Sequence, residues 1–155
     1  MYLESVKEFH ETFNHPVLSN PTIPDKSRCQ LRINLMQEEL NEIKQAIDNN
    51  DIIEIADGLC DLMYVLAGSI HEFGLGNKFE ELFQEVQRSN MSKACNTEQE
   101  AISTVNFYLN RDNTIAEYKQ KGDKWIVYRK SDNKLLKSIN YSSANLEQIL
   151  NKDGD

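Results

Sequence analysis

Six carboxylates fall in two clusters, Glu38, Glu39 and Glu42 in QEELNE and Glu54, Asp57 and Asp61 in EIADGLCD. Acids at this density have two chemical uses: they ligate a hard cation, or one of them takes a proton from a reacting water. The second cluster lies in an apolar setting. Between Ile55 and Ile70 the only charged residues are Asp57 and Asp61. Apolar side chains go right round a helix drawn through this stretch, which predicts a buried helix rather than an amphipathic one. Its carboxylates are expected to be buried with it, at a desolvation cost that a cation must offset. Hard oxygen ligands in this number suit Mg²⁺, or Mn²⁺, better than zinc, which prefers His and Cys.

Helical geometry gathers each cluster on one side. Relative to Glu38, Glu42 falls at about 40° and Glu39 at about 100°, while Glu54, Asp57 and Asp61 share a strip about 60° wide. The short polar link at positions 48 to 51, DNND, predicts an antiparallel hairpin in which the two strips face each other. For the first cluster alone, the competing reading is a solvated face with Arg32 or Lys44 as neighbours. For the second, it is one buried acid paired with Arg28 or Arg32.

The elements that must hold these residues are read from periodicity and caps. Leu3, Val6, Phe9 and Phe13 predict a first helix over residues 2 to 13, broken by HPVLSNPTIP. A second helix runs from Asp25, its N-cap, to about Asp48, and the buried third from about Asp51 to Phe73. A fourth is expected over Lys78 to Gln87. TEQE has the form of a capping box and opens a fifth, from Thr97 to Leu109. TIAEYKQ, KWIVYRK and KLLKSIN, separated by KGD and SDN, predict a small antiparallel sheet or hairpin, and NLEQIL a closing short helix.

At 155 residues the chain is read as a single domain, with a helical core over 1–93 and a helix-plus-hairpin extension over 94–155. The net charge of −8 argues against nucleic acid as a partner, and an anionic substrate would need a metal bridge. LCDLMYVLAGSI is too short and too acidic to span a bilayer, and MYLESVKEFHETF has no signal-peptide pattern. Cys29, Cys60 and Cys95 lack CxxC spacing and fit reduced thiols. A cytoplasmic protein with no membrane partner is therefore expected. A buried helix in so small a bundle also predicts a homodimer or homotetramer.

QEELNE followed by EIADGLCDLMYVLAG resembles the EExxE and ExxD pair of the all-α nucleoside triphosphate pyrophosphohydrolases, the MazG-like and phosphoribosyl-ATP pyrophosphohydrolase-like superfamily. RSNMSK, the opening VKEFHETFNHPV and the tail KLLKSINY strengthen the resemblance. It implies an all-α antiparallel bundle of MazG-like type, here with a small C-terminal β-hairpin. It also implies Mg²⁺ held by the acids, and cleavage of a nucleoside triphosphate between the α and β phosphates for nucleotide-pool housecleaning. Glu38, Glu39 and Glu42 match EExxE and Glu54 and Asp57 match ExxD, with Asp61 one turn further on. On family grounds Glu39 or Glu42 is the general base.

Arg88, Asn90 and Lys93 supply donors suited to polyphosphate oxygens. Asn14 and His15, before Pro16, either cap the first helix or line the nucleotide pocket, and Tyr64 is expected in the core with its hydroxyl reaching the site. His71 reads as a satisfied interface histidine. A di-iron carboxylate bundle needs Glu-x-x-His, whereas Lys7, Thr12 and Gly68 precede the three histidines at that spacing. The remaining alternatives are a non-catalytic nucleotide-binding or scaffold protein, and dUTP or phosphoribosyl-ATP as the substrate.

Overall fold

The computed structural model describes residues 2–152. In chain order the elements are α1 (Tyr2–Thr12), α2 (Lys26–Asp48), α3 (Ile52–Glu72), α4 (Phe79–Met91), α5 (Glu98–Asp112), β1 (Ala116–Lys121), β2 (Lys124–Arg129) and α6 (Leu146–Leu150). The fold is thus mostly helical with a small antiparallel hairpin. The described residues fall into two compact units that divide between Phe79 and Glu80. None of the described helices is long and apolar enough to cross a membrane.

In the first unit, local chemistry sets the helix ends. Asp25 accepts from the backbone N–H groups of Ser27 and Arg28 at the start of α2, and Asp51 does the same for Ile53 and Glu54 at the start of α3. Each such cap contributes about 1 kcal/mol. Asn14 follows α1 with a left-handed backbone, φ 57°, a conformation that Asn tolerates better than most residues and that ends a helix. Asn50 reverses the chain between α2 and α3 in the same way.

α2 and α3 pack along their length, and α1 packs on α3. Arg28 and Arg32 meet Glu72, while Ile43 meets Gly58. Rising numbers on α2 therefore pair with falling numbers on α3, which is the expected antiparallel hairpin. Gly58 sets its closeness, because a Cβ there would stand 2.7 Å from Ile43 Cγ1.

α3 departs from the expectation of a buried helix. Its C-terminal part, from Ala67 to Glu72, is buried, but Ile52 and Ile53 are 73 % and 76 % exposed, and Leu59 and Met63 are exposed too. Glu54, Asp57 and Asp61 are likewise exposed. Among the described helices of its unit α3 packs along α1 and α2, and these cannot cover a helix that is apolar on every side.

In the second unit, α5 packs against the β1–β2 hairpin around Cys95, Ala101, Tyr108, Val127 and Leu136. Thr97 caps α5 by accepting from Glu100 N–H, and the Glu100 carboxylate accepts in return from Asn96 N–H. The strands pair from Ala116 with Arg129 to Lys121 with Lys124, and the turn passes through Gly122 at φ 63°. KLLKSIN adds no third strand; it contributes only the isolated bridge between Tyr128 and Leu135. α4 extends a full turn beyond Gln87, so Arg88 and Asn90 lie on the helix rather than after it. The Arg88–Glu85 ion pair at i,i+3 ties the first residue of that added turn to the turn before it.

Candidate functional site

Glu39 is the centre of the acid cluster. Its carboxyl is half-buried, and its Oε2 is shut off from solvent with no hydrogen-bond partner among the described residues. Burial pushes the Glu39 carboxyl above the usual carboxylate range, and the charges of Glu42, Asp61, Glu38 and Asp57 push it the same way. Five acids from two helices are thereby brought together. Glu54 lies in the first turn of α3, where its backbone N–H donates to Asp51, and its charge does not figure among those acting on Glu39.

No cationic side chain among the described residues pairs with this cluster. Among the described residues none of the six acids forms an ion pair, and neither Arg32 nor Lys44 pairs with them. The donor set, all hard oxygen and all of one sign, with one buried oxygen lacking a partner, fits a divalent cation such as Mg²⁺. Among the described residues, however, no three acidic, His or Cys side chains are gathered tightly enough to form a ready ligand set. A cation there would have to draw the carboxylates of α2 and α3 inward.

The charge that is fully buried lies at the other end of the hairpin. Glu72 is 1 % exposed and accepts from Arg28 Nε at 3.0 Å, from Arg28 Nη2 and from Arg32 Nη2. These two arginines hold its carboxyl below the usual carboxylate range against the opposing effect of burial. Arg32 Nη2 also donates to His10 Nε2 at 3.3 Å, while His10 Nδ1–H donates to the Pro16 carbonyl at 2.9 Å. That arrangement requires a neutral imidazole, in keeping with a His10 pKa lowered by burial. Gly68 makes room for it, since a Cβ there would meet His10 Nε2 at 2.7 Å. His71 is satisfied within its own unit, donating from Nε2 to the Leu3 carbonyl at 2.8 Å.

Between the acids and this ion cluster lies a cavity of about 340 Å³, walled by Phe9, His15, Leu35, Tyr64 and Val65 and bounded by Arg28 and Arg32. Tyr64 is 40 % exposed and its ring stands nearly perpendicular to that of Phe9, with centroids 5.4 Å apart, so it serves as a pocket wall rather than as core. Asn14 is exposed and does not line the cavity, whereas its neighbour His15 does.

Arg88, Asn90 and Lys93 belong to the second unit. Arg88 forms a fork with Glu85, at 2.7 and 2.8 Å, and also donates to the Ser143 carbonyl. Arg88 and the Asn145 N–H together pull Glu85 down to about 2. Lys93 Nζ donates to Asn90 Oδ1 at 2.7 Å.

Sequence reasoning missed Glu72 and His10, and of the cavity lining it placed only His15 and Tyr64 near a nucleotide. The available signal was the i,i+4 spacing of Arg28 and Arg32, which puts two cations on one stripe of α2 and calls for a buried acid opposite.

With this geometry in hand, comparison with known proteins is informative. A family model described as phosphoribosyl-ATP pyrophosphohydrolase matches residues 6–90, more than half of the chain and a stretch that includes all six acids. An uncharacterized protein of Acanthamoeba polyphaga mimivirus is 22 % identical over 95 % of this chain and 94 % of its own length.

Proposed function

Because the chain belongs to the phosphoribosyl-ATP pyrophosphohydrolase family, we propose that it is a divalent-metal-dependent nucleoside triphosphate pyrophosphohydrolase. It would take water and a nucleoside triphosphate to a nucleoside monophosphate and pyrophosphate. The observation that carries this reading is Glu39, a carboxyl with a buried, unpartnered oxygen amid four further acids.

Glu38, Glu39, Glu42, Asp57 and Asp61 would hold the cation, with Glu54 a further oxygen donor at the start of α3. Bound there, Mg²⁺ would neutralise phosphate oxygens and make a bound water more acidic. Glu39 or Glu42 would accept the proton of the attacking water. Water oxygen would bond to the α-phosphorus, and the bond from that phosphorus to the bridging oxygen would break, releasing pyrophosphate. Tyr64, one helical turn from Asp61, would contribute to the wall beside the nucleotide. A second copy of the chain would cover the exposed apolar residues Ile52, Ile53, Leu59 and Met63 of α3.

The absence of a ready ligand triplet among the described residues favours one alternative, a nucleotide-binding protein without turnover. Hydrolysis in ¹⁸O-labelled water followed by ³¹P NMR separates the two. Attack at the α-phosphorus places the label in the monophosphate. Label in pyrophosphate, or no product at all, would overturn the reading.

A further inference from the structure

The cavity between α1, α2 and α3 stands in a fixed relation to the acid cluster. Leu35 on its wall and Glu39 lie four residues apart on one stripe of α2, and Val65 and Asp61 lie four apart on one stripe of α3. The wall is thus one helical turn, about 5.4 Å, from the acids on both helices. In a nucleotide the base stands one sugar ring away from the α-phosphate. A phosphate held at Glu39 and Asp61 would therefore deliver its base to this cavity.

The lining suits a flat ring. Phe9 and His15 lie nearly parallel, 13° apart with centroids at 5.9 Å, and the Tyr64 ring stands at 87° to that of Phe9. Aromatic faces of this kind stack on any base and do not discriminate. Discrimination must come from the polar edge, which is made of Arg28 and Arg32. Guanidinium groups donate and never accept.

The edge is also short of acceptors. Glu72 is one carboxylate against two guanidinium groups, and His10, neutral in the arrangement described, adds no negative charge. Asp25 also acts on Arg28, but its carboxylate caps α2 and does not line the cavity. Arg32 Nε, on a residue only 6 % exposed, has no acceptor among the described residues. Arg28, with 29 % of its side chain exposed, reaches toward solvent from the same rim.

From these observations we infer that the cavity is a base pocket in which Arg28 and Arg32 select a base presenting a carbonyl oxygen, a 4-oxopyrimidine or a 6-oxopurine, over its amino counterpart. The carbonyl accepts a charge-assisted hydrogen bond, whereas an exocyclic amino group brings N–H against N–H and loses its partner on leaving water. The inference rests on the acid cluster being the phosphate site.

Its test is calorimetric titration of the full-length protein with UMP, CMP, IMP and AMP in Mg²⁺, because a monophosphate has no anhydride bond to hydrolyse and its phosphate needs the cation to approach the acids. UMP should bind more tightly than CMP, and IMP more tightly than AMP, each by about ten-fold or more. Uridine should retain the preference over cytidine, Phe9→Ala should weaken all four nucleotides alike, and Arg28→Met should abolish the carbonyl preference while leaving stacking. Equal or reversed ranking in the wild type overturns the inference, whatever the variants do. So does displacement of UMP by inorganic phosphate with no binding of uridine. Hydrolysis of nucleoside triphosphates without a carbonyl preference in binding would sink the pocket assignment alone. Carbonyl-selective binding without any hydrolysis would instead sink the hydrolase reading alone.

Discussion

Gly58 on α3 packs directly against Ile43 on α2, where a Cβ on Gly58 would stand 2.7 Å from Ile43 Cγ1. Ile43 directly follows Glu42, and Gly58 directly follows Asp57, so the packing of this pair sets the separation of the two acid strips. Gly58→Ala should push the helices apart at a cost of about 1–3 kcal/mol, measured by urea denaturation. Pyrophosphate release should fall by about ten-fold as the acids separate. Adding Ile43→Ala, which vacates the colliding atom, should restore part of both. A double variant no better than Gly58→Ala would mean that the contact does not set the site.

Glu72 binds two arginines while almost wholly shut off from water. Glu72→Gln leaves both guanidinium groups facing a neutral partner, and the expected loss is about 3–5 kcal/mol. Denaturant titration reads it directly. A loss below about 1 kcal/mol would show that the arginines find other partners.

His10 gives the fold a pH dependence of known sign. Its folded pKa is lowered from 6.5, mainly by burial and also by Arg32 and His15, with Glu72 and the Pro16 carbonyl opposing. The unfolded chain therefore binds the proton more readily. Stability is complete above about pH 6.5 and is lost as pH falls toward the lowered folded value, by at most about 1.4 kcal/mol per pH unit. His10→Gln keeps a donor and an acceptor but does not titrate, and it should remove that slope. Melting curves between pH 5 and 8 with the same slope in both proteins would assign it elsewhere.

Glu39 should trade stability against metal binding. Without metal, Glu39→Gln removes a charge that four acids repel, so its melting temperature should equal or exceed that of the wild type. Added Mg²⁺ should raise the melting temperature of the wild type and leave the variant unmoved. A variant that melts earlier in EDTA, or that still responds to Mg²⁺, would show that Glu39 is a structural acid.

Much of the helical framework could be read from local chemistry, because caps such as Asp25, Asp51 and Thr97 act within three residues of themselves. The KGD turn was readable for the same reason. What escaped depends on distant parts of the chain. The partners of Glu72 lie 44 and 40 residues away, and no local pattern links them. Composition of α3 predicts burial all round, yet among the described helices of its unit it has α1 and α2 to pack on, and Ile52 and Ile53 face outward. KLLKSIN has strand character but forms one bridge at Leu135 and then turns away through Ser138 toward the Lys93 carbonyl.

The most direct test of the central claim is pyrophosphate release from a panel of canonical, deoxy and modified nucleoside triphosphates, with Mg²⁺ and with EDTA, for the wild type, Glu42→Gln and Asp57→Asn. The acid cluster as a metal-dependent phosphate site predicts release that requires Mg²⁺ and is lost in both folded variants. Release that persists in EDTA or in either variant, or no release by a folded wild type from any member of the panel, would contradict it.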